Sequence, residues 1–315
     1  MAAQRQAGEA AAAPATEPAP ATGAANVAAN AATNAATNAA TNGGTNGATN
    51  GATNAPAAAA EPQVLVAHDG GVVTLTLNRP AQFNALSEGL MSELQHALET
   101  IAADPAARVV VLRAAGRAFC AGHDLREMRA SPSLDYYRAL FAQCTRLMLT
   151  IQRMPQPVIA RVHGIATAAG CQLVAMCDLA VAAVEARFAV SGVNLGLFCS
   201  TPSVALSRNV SRKQAFEMLV TGDFIDAATA LERGLVNRVV PAEQLDAEVQ
   251  RLAQAICSKS AGAISAGKGL FYRQLEMGID AAYQLAGQTM ACNMMEDETL
   301  EGVLAFIEKR PPRKG

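Results

Sequence analysis

The chain has 315 residues, a formal net charge of -2 and 17% charged residues, which excludes the basic footprint of a nucleic-acid or polyanion binder. Its seven cysteines form no CxxC pair, so neither a disulfide framework nor a zinc site is expected, and reduced thiols point to a cytoplasmic location. No apolar run reaches the ~18 residues of a membrane-spanning helix, and the length is sufficient to bury a core without disulfides.

Residues 1–62 are dominated by Ala, Thr, Asn, Gly and Pro, with a four-residue repeat from Thr33 to Asn54 and Val27 as the one branched aliphatic. Such a segment cannot offset the entropy of ordering, so it is expected to be a disordered tail. Arg5 is its single basic residue, and a Leu-like apolar stretch is missing, so neither a mitochondrial transit peptide nor a secretory signal is expected.

Ordered structure is predicted from Gln63. VLVAHDGGVVTLTLNRP alternates apolar and polar residues around Asp69-Gly70-Gly71 and reads as a hairpin closed by Pro80. Ser87 is the expected N-cap of a helix with a stripe at Leu90, Met91, Leu94, Leu98 and Ile101. A strand at Arg108 to Gly116, a helix over 134–153 and a strand at Pro157 to Gly164 continue an α/β alternation. Small residues at Ala166, Ala168, Ala169 and Gly170 lead into a helix from Cys171 to Cys177, followed by a strand at Leu179 to Ala183 and a short extended piece at Phe188. Asn194 to Ser203 reads as a loop, and two helices stop near Gly222 and Gly234. After a strand at Asn237 to Pro241, helices are predicted over 242–258, 261–275, 279–292 and 296–308. A helix-only end suggests an assembly module, and Lys309 to Lys314 reads as a solvated tail.

Two runs carry the chemistry: FCAGHDL at Phe119 to Leu125 and HGIATAAGCQL at His163 to Leu173. Each places small residues where a strand gives way to a loop or helix, leaving backbone N–H groups free to point at a ligand. Two such donors converging on one oxygen make an oxyanion hole. Together with LTLNRPAQFNAL at Leu75 to Leu86, VAMCDLAVAA at Val174 to Ala183, LVTGDFIDAATALERGLVNRVVP at Leu219 to Pro241 and the helical finish, these runs make residues 63–310 resemble the crotonase, or enoyl-CoA hydratase/isomerase, superfamily.

The resemblance implies an α/β fold, a crotonase spiral of ββα repeats over 63–255, and a C-terminal helical trimerisation region over 256–315 that assembles a homotrimer or dimer of trimers. It implies an acyl-CoA thioester ligand in fatty-acid metabolism and no cofactor beyond the CoA of the substrate, while the charge balance, the scattered cysteines and the lack of a long apolar run leave no nucleic acid, no metal and no membrane span expected. The thioester carbonyl would sit between the backbone N–H groups of His123 and Ala169, the latter where the family usually has Gly. CoA contacts would fall at Ala81, Phe83, His123, Asp124, Leu125, Arg126 and Ala169, with the Arg126 guanidinium able to pair with a CoA phosphate. The His123 side chain itself is expected to face solvent.

Hydration of an enoyl thioester needs an activated water and a proton delivered to the α-carbon, work suited to two carboxyl groups. The family's two Glu positions here hold Gln172 and Gly192, neither of which exchanges protons near neutral pH. Gln172 retains the capacity to orient a water, and Gly192 beside Ser191 is expected to open space. Among substitutes, Asp178 reads as structural, Cys199, Ser200 and Thr201 as a packed thiol and a helix cap, and Asp135, Tyr136 and Tyr137 as an exposed helix start. The GVNLGLFCSTP run with GCQL is most similar to the enoyl-CoA hydratase domain-containing protein 3 type, which lacks the same carboxylates. The chain is therefore expected to be a family enzyme with impaired hydration or, alternatively, a non-catalytic acyl-CoA binder or regulatory subunit.

Overall fold

A computed structural model describes residues 61–313, so the disordered-tail reading lies outside the described residues except at Glu61 and Pro62. In chain order the strands are β1 (Val64–Asp69), β2 (Val72–Leu77), β3 (Val109–Ala114), β4 (Ala118–Cys120), β5 (Val158–Val162), β6 (Ile165–Thr167), β7 (Leu179–Ala183), β8 (Arg187–Ala189), β9 (Ile225–Asp226) and β10 (Arg238–Val240). The helices are α1 (Glu88–Ala102), α2 (Leu125–Ala130), α3 (Leu134–Arg153), α4 (Ala169–Met176), α5 (Ser200–Asn209), α6 (Arg212–Thr221), α7 (Ala227–Glu232), α8 (Leu245–Cys257), α9 (Ala261–Gln274), α10 (Ile279–Met294) and α11 (Asp297–Ile307).

The strands form two sheets, β1-β2-β3-β5-β7-β10 and β4-β6-β8-β9. In the first, the β1–β2 hairpin is antiparallel and the other pairs are parallel. Parallel strands covered on both faces need near-continuous apolar sequence, and VVVLRA, VIARV and LAVAA supply it. Alternation then sorts the two faces. Val109, Val111, Ile159 and Val181 pack with Leu245, Val249 and Ala253 of α8. Val110, Leu112, Val158 and Ala160 join the larger core of Leu90, Leu94 and Leu98 of α1 and Leu147 and Ile151 of α3.

Local signals hold where they are strong. The Ser87 hydroxyl accepts the Leu90 N–H at 3.1 Å, and Ser133 caps α3 in the same way through the Tyr136 N–H. Three expectations are corrected. The stretch read as a loop from Asn194 to Ser203 already contains the first turn of α5, with Pro202 in the tolerated first turn. The second sheet occupies segments read mainly as connections. The basic end is not simply solvated, because the Arg310 guanidinium turns back to hold Glu301 and Glu308.

Among the described residues, no helix is long and apolar enough to cross a membrane, and no group of three His, Cys, Asp or Glu side chains is placed to hold a metal ion.

Candidate functional site

Strands β4, β6 and β8 lie parallel, with Cys120 opposite Ala166 and Thr167 opposite Ala189. Their continuations, Ala121 to Asp124, Ala168 to Ala169 and Val190 to Gly192, therefore emerge side by side at the carboxyl edge, where α/β sheets place ligands. Contact between the first two is close enough to require glycine. Gly122 has φ of 94°, and a Cβ on it would stand 3.3 Å from the Ala169 nitrogen; a Cβ on Gly170 would come within 2.1 Å of the Cys120 carbonyl oxygen.

Ala169 opens α4, so its N–H precedes the helical ladder and lies at the positive end of the helix. His123 sits in a loop pinned on both sides: the Leu86 N–H donates to Gly122 at 2.7 Å, and the Asp124 N–H donates to Leu86 at 3.2 Å. Neither the His123 nor the Ala169 N–H donates to a backbone carbonyl among the described residues. Between β6 and α4, Ala168 adopts φ 49° and ψ -120°, a region that costs a non-glycine residue ~1–3 kcal/mol. The turn that presents the Ala169 N–H is thus strained.

The two former carboxylate positions differ from each other. Gln172 is buried in the first turn of α4, and its Oε1 has no hydrogen-bond partner. Gly192 is also buried, but no space opens beside it. A Cβ there would lie 2.5 Å from the Leu197 carbonyl oxygen and 2.7 Å from Cys199 Sγ. The expectation of room for a different substrate at Gly192 is therefore corrected: the chain reverses through the Ser191–Leu195 turn, and the Cys199 sulfur, accepting the Gly192 N–H at 3.3 Å, fills the position. Neighbouring Ser191 and Thr167 share a hydroxyl hydrogen bond of 2.8 Å.

Around the first loop, Asn84 is fully buried and knits the LNRP turn to β4, donating to the Ala115 and Ala118 carbonyls at 2.8 and 2.9 Å and accepting the Arg79 N–H at 2.9 Å. Asp124 caps α2 through the Arg126 N–H and pairs with Arg79 at 3.0 Å. Ala81, Leu125 and Arg126 remain exposed on this rim, while Phe83 is half-buried with the Arg117 guanidinium 4.4 Å from its ring centre. Arg79, Asn84, Arg117 and the strained Ala168 carry no assignment in the sequence reading.

The His123 imidazole does not face solvent. Both ring nitrogens are buried, near the Leu86 carbonyl but without a well-formed hydrogen bond, and the ring meets Phe141 of α3 edge-on at 5.5 Å. Burial pushes its pKa down to about 4, outweighing the Leu86 carbonyl that favours the charged ring.

The substitute residues are engaged in structural contacts, and Tyr136 and Tyr137 are half-buried, which corrects the expectation of an exposed helix start there. Asp178 accepts hydrogen bonds from the Val158 N–H, Lys268 and Tyr272. Burial raises the Cys199 thiol pKa, leaving it protonated and packed. Ser200 and Thr201 form the first turn of α5, Asp135 is exposed against Arg138, and the Tyr137 hydroxyl donates to the Met128 carbonyl.

A family model described as enoyl-CoA hydratase/isomerase matches residues 67–314. Enoyl-CoA hydratase domain-containing protein 3, mitochondrial, from Xenopus laevis is 46% identical over 251 residues, covering 80% of this chain and 85% of that protein. The human protein of the same name is 44% identical over 242 residues, covering 77% and 80%. The crystal structure of an enoyl-CoA hydratase from Mycobacterium smegmatis superposes with a TM-score of 0.80 at 64% identity, covering 80% of this chain and 99% of that one. The fold is thus the crotonase type that the sequence resemblance implies. The cytoplasmic expectation is corrected by the relatives named mitochondrial. Reduced thiols identify a reducing compartment and do not choose between reducing compartments.

Proposed function

The chain belongs to the enoyl-CoA hydratase/isomerase family, and on that premise we propose that it binds an acyl-CoA thioester with the carbonyl oxygen between the N–H groups of His123 and Ala169. The observation that carries this reading is the pair of N–H groups without backbone acceptors, delivered by adjacent parallel strands to one edge. Fixed dipoles of this kind stabilise charge that develops on a thioester oxygen, as an enolate or a tetrahedral oxyanion. In this reading Arg126, exposed like Ala81 and Leu125, pairs its guanidinium with a CoA phosphate, and the chemistry needs no cofactor beyond the CoA of the substrate.

Ordinary hydration is impaired in this reading. Gln172 cannot exchange protons, and Gly192 brings no side chain, so the paired acid and base are missing; losing one such group removes ~10²- to 10⁴-fold of rate. The protein fits fatty-acid metabolism as an enolate-forming enzyme with a reaction other than hydration. The second reading, a non-catalytic acyl-CoA binder, is favoured by the filled volume at Gly192.

We further propose that the helical end assembles copies of the chain into a homotrimer or dimer of trimers. Phe271, Ile279, Tyr283, Met290, Phe306 and Ile307 of α9, α10 and α11 are all more than half exposed, an apolar surface that calls for a cover.

Ala169→Pro tests the cradle. Proline is tolerated at the first helical position while lacking the N–H, so the variant removes one donor, and circular dichroism checks that the strained Ala168 turn before it still leads into the helix. Calorimetric binding of butyryl-CoA should weaken, and crotonyl-CoA hydration by the wild type should be slight. Unchanged binding in Ala169→Pro overturns the cradle, and robust wild-type hydration overturns the impairment.

A further inference from the structure

Arg79 lies outside the donor loop, yet a continuous path of hydrogen bonds and peptide units joins its guanidinium to the His123 N–H. Its Nη1 donates to the Ala85 carbonyl at 2.7 Å. That carbonyl shares a peptide unit with the Leu86 N–H, which donates to the Gly122 carbonyl at 2.7 Å. The Gly122 carbonyl in turn shares its peptide unit with the His123 N–H. In a planar trans peptide the C=O and N–H point in opposite directions, so each bond in this path sets the direction of the next donor. The last donor is the N–H assigned to the thioester oxygen. A second branch braces the path: Arg79 Nη2 donates to Asp124 Oδ2 at 3.0 Å, and the Asp124 N–H donates to the Leu86 carbonyl at 3.2 Å. Both side chains of the pair are largely buried, 18% and 10% exposed, so water competes little for these bonds. The turn that carries Arg79 holds Phe83 and Asn84 at φ of 51° and 54°, left-handed values that side-chain-bearing residues keep only where their surroundings impose them.

We propose that Arg79 is a positioning residue of the cradle: through the Ala85–Leu86 and Gly122–His123 peptides it aims the His123 N–H at the thioester oxygen. The inference rests on the thioester reading above, and Arg79 touches no part of the ligand in this role. A donor aimed before charge develops leaves no reorganisation for the moment of reaction, which is what makes such a cradle effective. Without the guanidinium the Ala85 carbonyl loses this partner and the Asp124 carboxylate loses its cation. The Ala85–Leu86 peptide can then tilt, and the His123 N–H tilts with it. A hydrogen bond weakens steeply as its donor is misaligned, so a modest tilt is enough to lose the contact. Ala169 has separate support in the first turn of α4 and keeps its aim. Loss of Arg79 therefore removes one donor of two. A lysine replaces the rigid fork by a single point on a flexible stem and restores the path only in part.

The experiment uses the full chain as wild type, Arg79→Met and Arg79→Lys, with Tyr272→Phe as a variant destabilised away from the loop. Butyryl-CoA isotopically labelled at its carbonyl carbon is the probe. Calorimetry gives its binding, and difference infrared spectroscopy gives its carbonyl stretch, which moves to lower frequency as the hydrogen bonds to it strengthen. Circular dichroism confirms the fold of each variant. Expected are a clear downshift in the wild type and in Tyr272→Phe, roughly half of it in Arg79→Met with one donor of two displaced, and an intermediate value in Arg79→Lys. Binding by Arg79→Met should weaken ~5- to 10-fold, the factor one hydrogen bond contributes. Should Arg79→Met fail to fold, Arg79→Lys decides by the same measure. A full downshift in a folded Arg79 variant overturns the positioning role, whether or not binding weakens, and leaves the cradle standing. An equal loss in Tyr272→Phe overturns it too, since the shift would then follow stability. A wild type that fails to bind, or binds without a downshift, overturns the cradle itself and this inference with it.

Discussion

Lys268 of α9 donates to Asp178 Oδ2 at 2.7 Å, and this contact fastens the helical end of the chain to the first sheet. The remaining ammonium protons go to the Ile151 and Gln156 carbonyls at 2.8 and 2.9 Å, so a nearly fully buried lysine has every donor used. On the other side, Asp178 accepts the Val158 N–H at 2.6 Å and the Tyr272 hydroxyl at 2.8 Å. Burial lowers the Lys268 pKa and the charge of Asp178 opposes that shift. Lys268→Met leaves Asp178 charged without its cation, which costs ~3–5 kcal/mol where a buried pair is broken on one side. Urea unfolding checks this, with Tyr272→Phe as the milder comparison at ~1 kcal/mol. Equal losses in the two variants would contradict the network.

Ala168 gives a prediction of opposite sign. Its φ of 49° and ψ of -120° suit glycine, and its Cβ faces the position of Gly122, where a second Cβ would approach to 2.9 Å. Ala168→Gly relieves ~1–3 kcal/mol of backbone strain and gives back ~0.5–1 kcal/mol through greater freedom of the unfolded chain. The expected result is a net gain in stability and a raised Tm. A fall in Tm would show that the turn is not strained. The usual glycine-to-alanine logic of stabilisation runs backwards at this turn.

These two sites show what the sequence could and could not disclose. Asp178 reads as structural from sequence alone, but its partner lies 90 positions away on a helix whose own pattern says nothing of a buried cation. Helix α3 is legible to its ends because a serine cap and a long apolar stripe coincide. By contrast β4, β6 and β8 have three residues each, too few for a period of two to register. Helix α5 buries only Pro202, Ala205 and Leu206 and begins at Ser200 after an N-cap residue, Cys199, that makes no side-chain cap, so both its stripe and its start signal are weak. At the site, small residues next to strand ends reveal candidate donors because any residue there presents an N–H. The Cys199 sulfur beside Gly192 depends on a chain reversal, and the burial of the His123 ring depends on α3; neither leaves a local mark.

The same ring sets a pH dependence of stability. The folded-state pKa of His123 is about 4, below the ordinary value of 6.5, so between these values the unfolded chain binds more protons than the native one. Stability therefore falls as pH drops from 6.5 towards 4, by about 3 kcal/mol over the full window. His163 is lowered in the same direction, chiefly by burial, and contributes a further slope of the same sign. His123→Phe should flatten the decline without abolishing it. Urea midpoints of both proteins at pH 7 and at pH 4.5 measure this. An identical acid slope in the variant would place the His123 ring in water.

Restoring the family's carboxylates tests whether hydration is lost only for want of two side chains. Gln172→Glu is nearly isosteric and should fold, with burial raising the new carboxyl pKa. Gly192→Glu is different in kind, because its Cβ would meet the Leu197 carbonyl oxygen at 2.5 Å and Cys199 Sγ at 2.7 Å. Overpacking of this sort costs ~1–3 kcal/mol. Adding Cys199→Ala removes the sulfur and leaves the carbonyl, so it should recover part of that loss and no more. Since paired catalytic groups act as a unit, Gln172→Glu alone should leave crotonyl-CoA hydration near the wild-type level, and the double carboxylate variant should remain poor because its second glutamate enters displaced. Thermal unfolding reads the first effect and the hydration assay the second. Full stability together with strong hydration in the double variant would show that the Ser191–Leu195 turn yields, and that the filled volume beside Gly192 is no barrier to the chemistry.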